Sequence, residues 1–154
     1  MAKEIERKFL IKDDSWRGQG SAKRYRQGYL STVKERTVRV RTAGENGFLT
    51  IKGITVGASR AEYEYEIPVM DANEMLDRLC ERPLIEKTRY RIAHSDLVWE
   101  IDEFEGENRG LIIAEVELKD EHELVTLPDW VGKEVTGDPR YFNANLVARP
   151  FTTW

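Results

Sequence analysis

Glu4, Glu6 and Lys8 lie two residues apart in the stretch "EIERKFLI". On an extended backbone side chains alternate between faces, so these three share one side and Ile5, Arg7 and Phe9 the other. Two carboxylates beside an amine can hold a cation, an anion, or both. The pattern recurs along the chain. Arg39 and Arg41 alternate with Val38 and Val40, and Lys52 follows Thr50, with Leu49 and Ile51 opposite. Glu62 and Glu64 alternate with Tyr63 and Tyr65, and Lys87, Arg89 and Arg91 with Thr88, Tyr90 and Ile92. Glu100 and Asp102 flank Ile101, with Trp99 on the apolar side, and Glu115 and Glu117 alternate with Ala114, Val116 and Leu118.

Exposed strand faces usually mix signs, yet several of these faces carry one sign only. Like charges two residues apart repel unless a counter-ion binds between them. Acidic pairs invite a divalent cation with oxygen ligands, and basic pairs invite phosphate oxygens. Two arrangements satisfy the alternation equally. The charges can form the wet outside of a sandwich, which is the usual place for a charged face. Alternatively they line a hydrated barrel lumen, and helices or a second subunit cover the apolar exterior. A lumen carrying both signs would suit a metal–polyphosphate complex.

The elements that must position these residues are mostly strands. Period-two alternation predicts strands over 4–11, 24–30, 37–42, 48–52, 61–67, 85–92, 98–104 and 113–119, about the number of a small closed barrel. Asn46-Gly47 within "GENG" predicts a hairpin, so the flanking strands pair antiparallel. Two helices complete the pattern. "DANEMLDRLC" starts at Asp71 as N-cap, places Met75, Leu76 and Leu79 on one side and ends before Pro83. "DPRYFNANLVA" has Asp138 as cap and Pro139 at the first helical position. Without repeat or linker, residues 1–154 read as a single domain.

The 154 residues are 40% hydrophobic and 34% charged, a soluble globular composition with a heavy charge load. A net charge of −4 argues against a nucleic-acid binder of the basic-stripe kind. The one cysteine, Cys80, allows no intrachain disulfide and reads as a small buried apolar group. Charge from Lys3 onward is unlike a signal peptide, and no apolar run approaches the roughly 20 residues of a membrane span. A reducing, cytoplasmic setting is expected. His94 and His122, beside turn-like polar segments, read as surface residues, and Arg140 as a surface ion-pair partner.

The assembled residues resemble the CYTH superfamily, the triphosphate tunnel metalloenzymes. Glu4, Glu6 and Lys8 match its N-terminal ExExK signature, followed in order by "RVR", "TIK", "EYE", "EKTRY", "WEID" and "EVE". The match covers nearly the whole chain and is most similar to the short bacterial members, including "RQGYL" at residues 26–30. The resemblance implies a mainly β fold, an eight-stranded antiparallel barrel forming a charged tunnel, with a few peripheral helices. It implies that Glu4, Glu6, Glu115 and Glu117 hold Mg²⁺ or Mn²⁺, and that Lys8, Arg39, Arg41, Lys52, Lys87 and Arg89 hold phosphate oxygens. Tyr29 and Lys87 fall where family members place a catalytic tyrosine–lysine pair. Glu62, Glu64, Glu100 and Asp102 read as lumenal groups that either orient the basic residues or touch metal, and Arg91 as an extension of the basic strand at the barrel mouth.

The activity implied is metal-dependent hydrolysis of a phosphoanhydride bond in a small anionic substrate, with inorganic triphosphate favoured. Class IV adenylate cyclase and thiamine triphosphatase are alternatives within the family, and a non-catalytic polyphosphate or nucleotide binder is one of another class. Trp99, Tyr63, Tyr65 and Tyr90 fall on the outer face. With only two helices to cover that face, a homodimer is expected.

Overall fold

The computed structural model describes residues 3–154; the expected domain span also takes in Met1 and Ala2, which lie outside the described residues. The strands are β1 (Lys3–Ile11), β2 (Ser21–Ser31), β3 (Arg36–Ala43), β4 (Asn46–Gly53), β5 (Ser59–Ile67), β6 (Ile85–His94), β7 (Leu97–Phe104), β8 (Ile112–Glu117) and β9 (Val131–Glu134). Helix α1 spans Val69–Arg78 and α2 spans Asn145–Ala148. The hydrogen-bonded order is β5-β4-β3-β2-β6-β7-β8-β1-β9, and an additional β5–β1 pairing joins the ends. β1 to β8 therefore form a closed eight-stranded antiparallel barrel, and closure removes the free sheet edges.

β1 completes the ring by changing partners along one edge. Its first residues pair with β5, Lys3 opposite Ala61, and its last with β9, Ile11 opposite Val131. The other edge pairs with β8, which sets Glu6 opposite Glu117 and Lys8 opposite Glu115. β9 had no alternation long enough to be read from sequence, and its four residues form on β1.

The β3–β4 hairpin forms as expected, but Ala43 pairs with Asn46, so Gly44 and Glu45 make its two-residue loop. Gly44 has φ +60°, the first-position requirement of a II′ turn. Gly47 serves a different purpose. A Cβ there would stand 2.9 Å from Ala72 Cβ, so its absence lets α1 lie against the hairpin. α1 begins two residues before the expected cap: Pro68 precedes it, and Asp71 sits in the first turn without capping it. Ala72 and Leu76 are its buried face, packed with Val40 and Cys80, whereas Leu79 at the C-terminal end is exposed. The expected C-terminal helix is split. Asp138 caps only a 3₁₀ turn over Pro139–Tyr141, accepting from the Arg140 amide, and α2 follows as a separate short helix.

Apolar residues populate both faces of the barrel wall, for different reasons. Outside, Trp99 on β7 packs against Phe9 and Trp130, with Trp16 in the same cluster, so connecting segments cover that side. Within, Ile85, Phe104 and Ile113 continue the strand faces that carry Lys87, Asp102 and Glu115. They pack with Val135, Tyr141, Leu146 and Val147 of the C-terminal segment. One end of the interior is thus apolar and filled; the remainder is polar and open.

Candidate active site

The polar interior is a cavity of about 830 Å³. Glu4, Glu6, Lys8, Tyr29, Arg39, Arg41, Lys52, Lys87, Arg89, Glu115 and Glu117 all line it, together with Glu62, Glu64, Arg91 and Glu100. The charged strand faces therefore converge inward. Every candidate phosphate or metal residue named from the sequence lies on one cavity. Asp102 alone among the charged-face residues is sealed in the wall instead of lining the space.

Asp102 is fully buried and organises β6. Its Oδ2 accepts from Lys87 Nζ at 2.7 Å and Arg89 Nη2 at 2.9 Å, and its Oδ1 from Arg89 Nε at 2.7 Å. Burial opposes its ionisation, but Arg89 and Lys87 override that and hold the carboxyl well below the usual range. Burial pushes Lys87 down to about 8 despite Asp102, and Asp102 holds Arg89 charged against its own burial. Asp102 thus holds Lys87 and Arg89 of β6 through hydrogen bonds.

The arginines of β3 lack such support. Arg41 donates to Glu64 Oε1 at 3.0 Å and Arg39 to Thr50 Oγ1 at 3.3 Å, yet both Nε–H groups are buried without a partner among the described residues. Burial and the neighbouring cations Arg39 and Arg89 push Arg41 down to about 10. Burial and like-charged neighbours both disfavour the guanidinium charge here, and a bound anion would offset both.

The opposite wall has the converse imbalance. Burial, then Glu115 and Glu4, push Glu6 up to about 8. Burial and the like charges Glu4 and Glu100 also raise Glu117. Glu4, by contrast, is engaged: Lys52 Nζ lies 3.0 Å and Arg60 Nε 3.3 Å from it, which hold it low against burial. Glu62, beside Glu4 and Lys52, is pushed up to about 7 by burial and by the Glu4 carboxyl. Arg60 is a lumenal cation that sequence reading missed. It sits at the seam where β5 meets β1, in phase with Glu62 and Glu64 but one residue before the strand expected from sequence.

A divalent cation fits this donor set in chemistry. The candidate ligands offer only carboxylate oxygens, suited to Mg²⁺ or Mn²⁺, and a cation would relieve the repulsion around Glu6 and Glu117. They do not form a finished cage: among the described residues no group of three or more His, Cys, Asp or Glu side chains is placed to hold an ion alone. Magnesium in particular is commonly held by one or two carboxylates with substrate phosphates completing its shell.

Tyr29 is buried on β2 between the cavity and the apolar end, and burial raises its phenol. Lys8 Nζ lies 3.7 Å from Glu115 and 5.4 Å from the Phe142 ring centroid. Arg91 is half exposed at the cavity edge, near Glu100. Arg140 pairs with Asp138 on the surface; His94 and His122 are outside the cavity, and Cys80 is buried beside α1.

A closed barrel with acidic and basic walls around one polar cavity defines the class of protein. The CYTH domain model matches residues 2–151, and the chain belongs to the CYTH family. It is 54% identical over 151 residues to an inorganic triphosphatase of Acetivibrio thermocellus, covering 98% of this chain and 97% of that protein. An inorganic triphosphatase of Nitrosomonas europaea is 40% identical over 147 residues, 93% and 95% of the two chains. The crystal structure of an inorganic triphosphatase superposes with a TM-score of 0.68 at 37% identity, covering 96% and 95%. A Hippeastrum protein described as a putative adenylyl cyclase with dominant triphosphatase activity shares the fold, with a TM-score of 0.60 at 14% identity over 76% of this chain and 80% of that one.

Proposed function

We propose that this chain is an inorganic triphosphatase, hydrolysing a phosphoanhydride bond of triphosphate within the barrel. The observation that carries the reading is the meeting of two unbalanced walls, with the unpartnered Arg39 and Arg41 Nε–H groups on one and, on the other, Glu6 beside Glu115 and Glu4 and Glu117 beside Glu4 and Glu100. Triphosphate with a divalent cation would offset both imbalances. CYTH triphosphatases are in general metal-dependent.

Each residue has a part in that chemistry. Arg39, Arg41, Lys8, Lys52 and Arg89 would take phosphate oxygens and offset the negative charge that repels an incoming oxygen. Glu6, Glu115 and Glu117 would hold Mg²⁺ or Mn²⁺, with Glu4 also within the set although Lys52 and Arg60 already engage it. The cation, when bound, neutralises phosphate charge and acidifies water. Tyr29 and Lys87 would orient water or support the leaving phosphate, Lys87 from a fixed position on Asp102.

Phosphate release from inorganic triphosphate, pyrophosphate and ATP, with Mg²⁺ and then Mn²⁺, tests the reading. Release from triphosphate that stops on adding EDTA is expected. Cyclic AMP from ATP would make it a cyclase, faster release from thiamine triphosphate would make that the substrate, and tight triphosphate binding without release would make it a binder. The same reading includes a cytoplasmic setting and a homodimer across the outer faces of β4 and β5, where Ile51, Tyr63 and Tyr65 remain exposed. Light scattering after size exclusion should give twice the mass of the chain, and a single-chain mass would remove the dimer.

A further inference from the structure

We propose that Asn143 is a substrate-contacting residue, a neutral hydrogen-bond donor that the C-terminal segment contributes to the cavity. Its side-chain oxygen accepts from Lys87 Nζ at 3.1 Å and from Gln27 Nε2 at 3.0 Å. A lysine ammonium can only donate, so the amide must turn its oxygen toward Lys87. The amide NH₂ is thereby directed away from both donors. It has no partner among the described residues, and Asn143 lines the cavity.

The arrangement fixes an otherwise rotatable amide at both ends of its logic. Gln27 is completely buried and Lys87 almost so, which leaves neither free to swing away. Lys87 has two of its three N–H groups committed, to Asp102 and Asn143. A phosphate oxygen at this end of the cavity can therefore meet the remaining lysine N–H and the Asn143 NH₂ together. A neutral donor adds contact there without adding to the crowding of cations that already depresses Arg41. The two contacts come from elements far apart in sequence, β6 and the segment between the 3₁₀ turn and α2.

The inference rests on the reading of the cavity as a triphosphate site, and the experiment separates the two. Binding of sodium tripolyphosphate is measured by calorimetry in EDTA for the wild-type protein, Asn143→Ala, Lys87→Met and the double variant. Loss of a hydrogen bond to a charged group predicts roughly 10- to 100-fold weaker binding for Asn143→Ala. A direct contact predicts a clear loss in the Lys87→Met background as well. Unchanged affinity, or a loss that vanishes when Lys87 is absent, would overturn the proposal. In the wild-type protein, the ¹⁵N-labelled side-chain amide of Asn143 should shift on adding tripolyphosphate more than those of Asn46 and Asn73; no shift would overturn it even where the alanine variant fails to fold. Binding without phosphate release in Mg²⁺ would remove the enzymatic reading and leave Asn143 to be judged on affinity. No binding by the wild-type protein, in EDTA and in Mg²⁺ alike, would overturn both.

Discussion

On β1 and β8, Glu6 faces Glu117 across the register, with Lys8 Nζ 3.9 Å from Glu6; on β6 and β7, Lys87 and Arg89 close around Asp102 with three hydrogen bonds of 2.7–2.9 Å. The two regions use the same residue types on the same sheet face. They differ in whether the protein itself supplies the counter-charge. Asp102 is sealed in the wall and acts as an internal counter-ion, so its neighbours are held still. Glu6 and, on β3, Arg41 have only partial counter-charge, from Lys8 and from Glu64, and burial together with like-charged neighbours moves their pKa values toward neutrality. On the proposed reading, Asp102, balanced internally, positions Lys87 and Arg89, whereas Glu6 and Arg41 gain their counter-charge from cation and substrate.

That distinction can be tested by substitution, beginning with the unbalanced wall. Glu6→Gln should lower metal-dependent phosphate release by about a thousandfold, the upper range for losing one electrostatic contributor. Its thermal midpoint without metal should stay the same or rise, since a repelled carboxylate has been neutralised. A lowered midpoint with normal activity per folded molecule would make Glu6 structural. Arg41→Leu should cost about a hundredfold in kcat/KM for triphosphate, again with little effect on stability, measured by steady-state kinetics beside a melting curve.

The balanced region should respond in the opposite order. Asp102→Asn leaves Lys87 and Arg89 buried beside a neutral partner, and breaking such a pair costs about 3–5 kcal/mol. Denaturant unfolding should show that loss directly. A variant as stable as the wild type would deny that Asp102 is the internal counter-ion.

The smallest effect expected is a pH dependence. Lys87 titrates at about 8 in the free protein because burial disfavours its charge. A bound polyanion raises that value, so binding takes up a proton above pH 8. Tripolyphosphate affinity should therefore fall as pH rises through that value, by up to roughly tenfold per unit. Lys87→Met should lack this component when the two profiles are compared in EDTA; identical profiles would remove Lys87 from the binding set.

Much of this was legible in the chain. The strand faces that carry Glu4, Arg41, Lys87 and Glu117 follow from a period of two, which local backbone geometry enforces whatever the fold. Other features were not. Gly44–Glu45 took the hairpin loop from Asn46-Gly47 because register along the whole of β3 and β4, set by burial of Val40 and the fit of α1 on Gly47, outweighed the local turn preference. α1 started before Asp71 because β5 leads into it through Pro68. Arg60 shares the period of Glu62 and Glu64 but escaped notice because the strand was read as starting at residue 61, and its partner Glu4 is brought to it only where β5 meets β1.

The sequence by itself determined which residues share a strand face and which signs of charge those faces carry. It did not determine which side of the sheet is inside, since a sandwich and a barrel satisfy the same alternation. Tertiary structure decided that, through the pairing of β1 with β5, residues more than fifty positions apart. It also decided that Asp102 is sealed in the wall while Glu6 opens on the cavity, and that Asn143 reaches Lys87. These outcomes depend on closure and side-chain packing between distant elements, which no local spacing encodes.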